Sequence, residues 1–208
     1  IPTERPTSTP IATATTAPTS TPEPKHWKRM PSMPTARWSL SASVVDGKIY
    51  IIGGYGGAQR VDVYDPSTDT WTMKSEMPSA RRSLSTSALD GKIYAIGGVA
   101  GSSSSYSSVE TYSTVEEYDP ATDTWTTKSE MPTARLCHHA NVVDGRIYVI
   151  GGSLRAPYNA PYIWPVEVYD PATDTWTYRA DMPTSRGFFT TSVVDDSAIV
   201  ALSTIRTN

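Results

Sequence analysis

The chain has 208 residues, a formal net charge of −3 and a single cysteine, Cys137. That mildly acidic balance argues against nucleic acid or an anionic membrane surface as partner. No apolar run approaches bilayer length, which argues against membrane insertion, and a lone cysteine rules out an intrachain disulfide.

The sequence starts at Ile1 with neither a methionine nor a signal-peptide apolar core, the pattern of a processed product or an internal fragment. Residues 1–24 differ from everything that follows: 16 of the 24 are Thr, Pro or Ser, and none is aromatic. Such a segment buries too little apolar area to offset its ordering entropy. It reads either as a disordered linker or as an extended stalk bearing O-linked sugars, and the stalk favours a secreted or cell-surface protein.

From residue 25 onward a long repeat takes over. Aligned on tryptophan, it gives Trp27, Trp71, Trp125 and Trp176, at spacings of 44, 54 and 51 residues. Asp65, Asp119 and Asp170 stand six residues before the last three, in YDPSTDTW, YDPATDTW and YDPATDTW. Met-Pro-x-x-Arg recurs as MPTAR, MPSAR, MPTAR and MPTSR, which brings Arg37, Arg81, Arg135 and Arg186 into register. A period of about 50 residues marks a solenoid or a propeller.

Each unit predicts four short strands. The first is a small-residue run ending in a β-branched pair, as in SASVV (41–45). Asp46-Gly47, Asp90-Gly91 and Asp144-Gly145 then supply two-residue hairpin turns, because glycine accepts positive φ. The second strands, at 48–53, 92–97 and 146–151, are apolar on both faces, as for a strand sandwiched between sheets. The third, at 61–65, 115–119 and 166–170, mix polar and apolar positions and are expected further out. Asp-Pro opens a type I turn, and the fourth strand starts at the tryptophan. Four antiparallel strands per unit, repeated, make a propeller blade.

The Gly-Gly pair after an apolar strand, the Tyr-Asp-Pro and the Trp six residues past that Asp resemble the kelch repeat, in its bacterial form, over residues 25–208. The resemblance implies an all-β fold, a kelch-type β-propeller fragment. It would hold three complete four-stranded antiparallel blades, a partial fourth and an N-terminal closing strand. The repeats fall at approximately 33–76, 77–130, 131–181 and, in part, 182–208. In the last, Asp196 replaces the turn glycine and Leu202-Ser203 stand where Gly-Gly belongs. Residues 25–30, around Trp27, match a fourth strand without its first three and are expected to close the ring. The resemblance further implies that the indole and tyrosine of each unit pack near its glycines.

Variation concentrates in the loops after Gly-Gly, at 55–60, 99–114 and 153–165, and strand parity puts them at one end of the blades. The last of these holds Tyr158, Tyr162 and Trp164, which either form a contact surface or pack the loop onto its own blade. Arg37, Arg81, Arg135 and Arg186 reach the same end, where four guanidinium groups suit a carboxylate or a phosphate. Their recurrence in every unit favours pairing with acidic residues such as Asp62, Glu116 or Glu167 instead. These seven residues are the candidate ligand-binding set. Cys137, His138 and His139 have metal-ligand chemistry, but neighbours on a strand point to opposite sides, so no metal is expected. No Ser-His-Asp or Cys-His-Asn spacing and no phosphate-cradling loop is evident, and no cofactor is expected. The expected function is a non-catalytic interaction module that offers its variable loops to a protein or carbohydrate ligand. The alternative is part of a kelch-fold enzyme, of the sugar mutarotase or oxidase type, with catalytic residues largely outside these blades.

Overall fold

The computed structural model describes residues 29–101, 110–154, 162–194 and 198–202. The chain divides into two units, 1–30 and 31–208. Of the first, Arg29 and Met30 are described; both are exposed and lie outside any strand. The expected linker, and residues 25–28 of the expected closing strand with Trp27, lie outside the described residues. No helix among the described residues is long and apolar enough to cross a membrane.

The second unit is built from strands. Its first sheet holds β1 (Ser41–Val45), β2 (Lys48–Ile52), β3 (Val61–Asp65) and β4 (Thr70–Lys74) in that spatial order. A two-residue strand β5 (Arg81–Arg82) leads into the second sheet, formed by β6 (Ser85–Leu89), β7 (Lys92–Ile96), β9 (Val115–Asp119) and β10 (Thr124–Lys128). Between β7 and β9, the short β8 (Val99–Ala100) pairs back onto β5. The third sheet holds β11 (His139–Val143), β12 (Arg146–Ile150), β13 (Val166–Asp170) and β14 (Thr175–Arg179). The fourth unit supplies the hairpin β15 (Thr190–Val194) and β16 (Ala198–Leu202). All pairings are antiparallel. Strands β1, β6, β11 and β15 pack side by side, so they are the innermost strands and the sheets fan outward as blades.

Local chemistry explains the boundaries. Asp46 and Gly47 have φ of 49° and 71°, the paired positive values of a type I′ turn, and Asp90-Gly91 and Asp144-Gly145 repeat them. The second strands end one residue earlier than the pattern suggested, at Ile52, Ile96 and Ile150, because the next glycine already has positive φ. The fourth strands begin one residue earlier, at the threonine before the tryptophan.

The third strands lie further out, as their mixed polarity predicts. They are third from the centre, but their polar residues do not face water: Asp62, Glu116 and Glu167 are buried. Polarity there marks ion pairing inside the fold.

The core sits in the seams between blades. One face of the first blade (Val45, Tyr50, Ile52, Val61 and Val63) packs on Ile93, Ala95 and Tyr118 of the second. The second blade repeats this against the third, through Tyr94, Ile96 and Val115 on Ile147, Val149 and Tyr169. The Gly-Gly pair is what lets the blades approach. A Cβ on Gly97 would lie 2.6 Å from the Arg135 carbonyl oxygen of the next blade, and one on Gly98 would lie 2.7 Å from the Arg82 carbonyl oxygen of its own. The backbone N–H groups of Gly54, Gly98 and Gly152 donate to the carbonyls of Arg81, Arg135 and Arg186, one blade on. The glycines therefore meet backbone carbonyls and the side chains of Leu40, Leu84 and His138, not the tyrosine and indole as the resemblance implied. Tyr64 and Trp71, Tyr118 and Trp125, and Tyr169 and Trp176 stack on one another near the opposite end of each sheet, with centroids 5.1, 5.0 and 5.0 Å apart.

Candidate binding face

The end of the blades that carries the post-Gly-Gly loops is floored by arginine. Arg37 donates to Asp62 at 2.6 Å and to the carbonyls of Gly53 and Arg60. Arg81 pairs with Glu116 at 2.6 Å and donates to the carbonyls of Gly97 and Thr114. Arg135 pairs with Glu167 at 2.8 Å and donates to the carbonyls of Gly151 and Pro165. Each guanidinium thus ties the start and the end of its loop to the third strand. The side chains of Arg37, Arg81 and Arg135 are 0% exposed. Burial works against the charge of Arg81 and Arg135, and the facing carboxylates work for it. Arg81 also stands 5.4 Å from the centroid of the Tyr112 ring, a cation–π contact inside the second loop. Arg186 is half-buried, and its carbonyl accepts from Gly152.

Two residues after each arginine the backbone turns left-handed. Ser39, Ser83, Cys137 and Phe188 have φ of 53°, 55°, 52° and 53°. Their backbones form a chain from blade to blade: Ser83 N–H donates to Ser39, Cys137 N–H to Ser83 and Phe188 N–H to Cys137. Non-glycine residues held there are uncommon, and such positions are kept only where surrounding contacts impose them. Just inside, a cavity of about 210 Å³ is lined by Leu40, Leu84, His138 and Phe189 along with these four. Burial, then Arg135, push the His138 imidazole well below its usual range, so it is neutral at physiological pH. Burial likewise raises the Cys137 thiol to about 11. Cys137 precedes β11 and only His139 lies within it, and no group of three metal-ligating side chains converges among the described residues.

The candidate aromatics divide. Tyr158 lies outside the described residues. Tyr162 is half-buried: it bridges Ser153, covers Gly187 and meets Phe188 edge-on at 6.5 Å. Trp164 is 54% exposed, while its carbonyl anchors the N–H of Met182. Trp38, exposed and stacked 4.9 Å from Tyr55, stands at the same end, as do exposed Leu154 and Phe188. Sequence reasoning passed over Trp38, Leu154 and Phe188. A signal was available: Trp38 and Phe188 follow the repeated arginine, at positions where the other units carry different residue types.

Two family models match this chain: the KLHDC2/KLHL20/DRC7 Kelch-repeats domain over residues 15–152, and the Kelch motif over residues 134–183. The chain belongs to the kelch-repeat family. Its kelch repeats are similar to Kelch-like protein 24 of Rattus norvegicus, 43% identical over 73% of this chain and 23% of that protein. Kelch-like protein terF of Aspergillus terreus is 44% identical over 40% of this chain and 19% of that protein. Kelch-like protein 15 of Danio rerio is 29% identical over 84% and 23%. The chain therefore spans about a fifth to a quarter of the length of the curated relatives it matches. The solved structure of YjhT superimposes with a TM-score of 0.69 at 20% identity, over 78% of this chain and 56% of that one, which bears on the fold alone.

The kelch tryptophans have a role that spacing did not suggest. Trp125 Nε1–H donates to the Ser75 carbonyl at 3.0 Å, while Asp123 accepts from the Ser75 N–H at 3.0 Å. Trp176 and Asp174 grip Ser129 in the same way, at 2.9 Å each. Trp71 donates to the Pro31 carbonyl at 3.1 Å, and proline offers no N–H for the matching aspartate. In the second and third units, Thr-Asp-Thr-Trp is thus a clasp on the strand end of the preceding blade. The aspartates of all three also accept from the tyrosines of their own units.

Proposed function

We propose that this kelch propeller is a non-catalytic protein-binding module whose contact face is the end bearing the loops 55–60, 99–114 and 153–165. The observation that carries this reading is the gathering of exposed Trp38, Leu154, Trp164 and Phe188 there. The opposite end presents near-identical Asp-Gly and Asp-Pro turns. Aromatic groups of this kind supply large, rigid contact area, and only dissimilar loops distinguish one partner from another. In this reading Trp164, Tyr162 and Tyr158 are contact groups. Arg37, Arg81 and Arg135 are the floor that fixes the loops, and Arg186 stands at the rim. The likeness to Kelch-like proteins fits a protein partner. The test is to capture a partner with the full-length protein and map its footprint by hydrogen–deuterium exchange. Protection at 55–60, 110–114 and 162–165 is expected. Protection confined to the Asp-Gly turns would place the contact face at the other end.

A further inference from the structure

At the tight-turn end, the seams between blades are not equivalent. On the face of the second blade that meets the third, Tyr94 pairs across with Glu117. Glu117 is 8% exposed and stands where the first and third blades have Val63 and Val168. Three donors hold its carboxylate: Lys92 at 2.9 Å, Lys128 at 3.6 Å and the Tyr94 hydroxyl. The first blade carries the same three donor types at the same positions, Lys48, Lys74 and Tyr50, and Tyr50 pairs across with Val63. Among the described residues, no internal carboxylate reaches the centre of this set. That place is a cavity of about 470 Å³, walled on its other side by the turns of the second blade.

The donors there are not all committed. Lys48 is held by Asp65 at 3.1 Å. Among the described residues, Lys74 has no carboxylate within ion-pair distance, and the hydroxyl of Tyr50, a residue only 4% exposed, has no hydrogen-bond partner. Val63 supplies an apolar floor, Asp46 and Asp90 stand at the rim, and Asp119 lines the far wall beside Lys92, which it meets at 3.8 Å. Rim carboxylates repel a second anionic group on a ligand but accept hydrogen bonds from hydroxyls.

We infer that this first seam binds a sugar acid: a hydroxylated monocarboxylate whose carboxylate takes the place that the Glu117 side chain holds one blade on, between Lys74 and Tyr50, while its hydroxyls donate to Asp46 and Asp90. The site is independent of the loop face.

Calorimetric titration of the whole chain with glucuronate tests it, with glucose and acetate as the arms that lack one half of the ligand. Glucuronate is expected to bind at a single site, about tenfold tighter than either arm, the worth of one charge-assisted hydrogen bond. Lys74→Met should lower that affinity about tenfold with the melting temperature unchanged. Val63→Glu should abolish binding by supplying the carboxylate internally, and Glu117→Val should raise the stoichiometry to two by exposing the equivalent donors of the next seam. Glucose binding as tightly as glucuronate, or Lys74→Met binding as wild type, would overturn the inference, as would the absence of any heat with glucuronate.

Discussion

At the scale of single residues, the strongest constraint is the buried pair repeated behind each loop. Arg135 and Glu167 are both 0% exposed, and the arginine also satisfies two loop carbonyls. Removing one member leaves the other charge buried without its partner, which typically costs about 3–5 kcal/mol. Arg135→Met is therefore expected to lower stability by that amount in urea unfolding. The double change Arg135→Met with Glu167→Leu should recover much of the loss, because an apolar pair leaves no orphan charge. A second residue-scale expectation concerns acid. Hydrogen bonds from the Ser67 hydroxyl, then from Lys48 and the Ser67 N–H, hold the Asp65 carboxyl down at about 2. An unfolded aspartate titrates at about 3.9, so the Asp65 contribution is whole above that value and is lost as pH falls toward 2. Ser67→Ala, the residue type found in the sister turns at Ala121 and Ala172, removes the largest cause. It should flatten the pH dependence of stability in that window, measured as denaturation midpoints against pH.

At the scale of elements, the clasp between Trp125, Asp123 and Ser75 joins one blade to the next through backbone atoms. Trp125→Phe keeps the stacking on Tyr118 but loses the Nε1–H donation to Ser75. It is expected to cost about 1 kcal/mol in urea unfolding, the usual net worth of one hydrogen bond. Such a contact is hard to read from sequence, because the acceptor is a main-chain carbonyl that any residue would provide. The hairpin turns were legible for the converse reason. Asp-Gly states its own backbone geometry, and the third-strand boundaries at Val61–Asp65, Val115–Asp119 and Val166–Asp170 follow from the repeat. The arginine pairs were legible too, since the recurrence of the arginine in every unit pointed to Asp62, Glu116 and Glu167 as its partners, and the three pairs form; the depth of their burial was not. The left-handed positions at Ser39, Ser83, Cys137 and Phe188 also escaped, because no common side chain marks a positive φ there.

At the scale of the whole molecule, the blades stack through seams that bury one face of each sheet on the next, and the two ends of that stack differ in kind. One end is made of short repeated turns, with the seam cavity beside Tyr50 and Lys74 between them. The other is made of unlike loops, fixed from beneath by the arginine floor and topped by exposed aromatic groups. The three four-stranded blades among the described residues, and the direction of their loops, were readable from period and strand parity alone. The exposed cluster of Trp38 and Phe188 was not, because it depends on which residues the fold leaves uncovered. On the proposed reading, this end divides its work between a buried floor that stabilises and a surface that binds. Parallel measurement of melting temperature and partner affinity for Trp164→Ala and Arg135→Met tests that division directly. Trp164→Ala should weaken binding by about 2 kcal/mol or more at an unchanged melting temperature, while Arg135→Met lowers the melting temperature. Wild-type affinity in Trp164→Ala, with binding abolished instead by substitutions at Asp90 or Asp144, would contradict it.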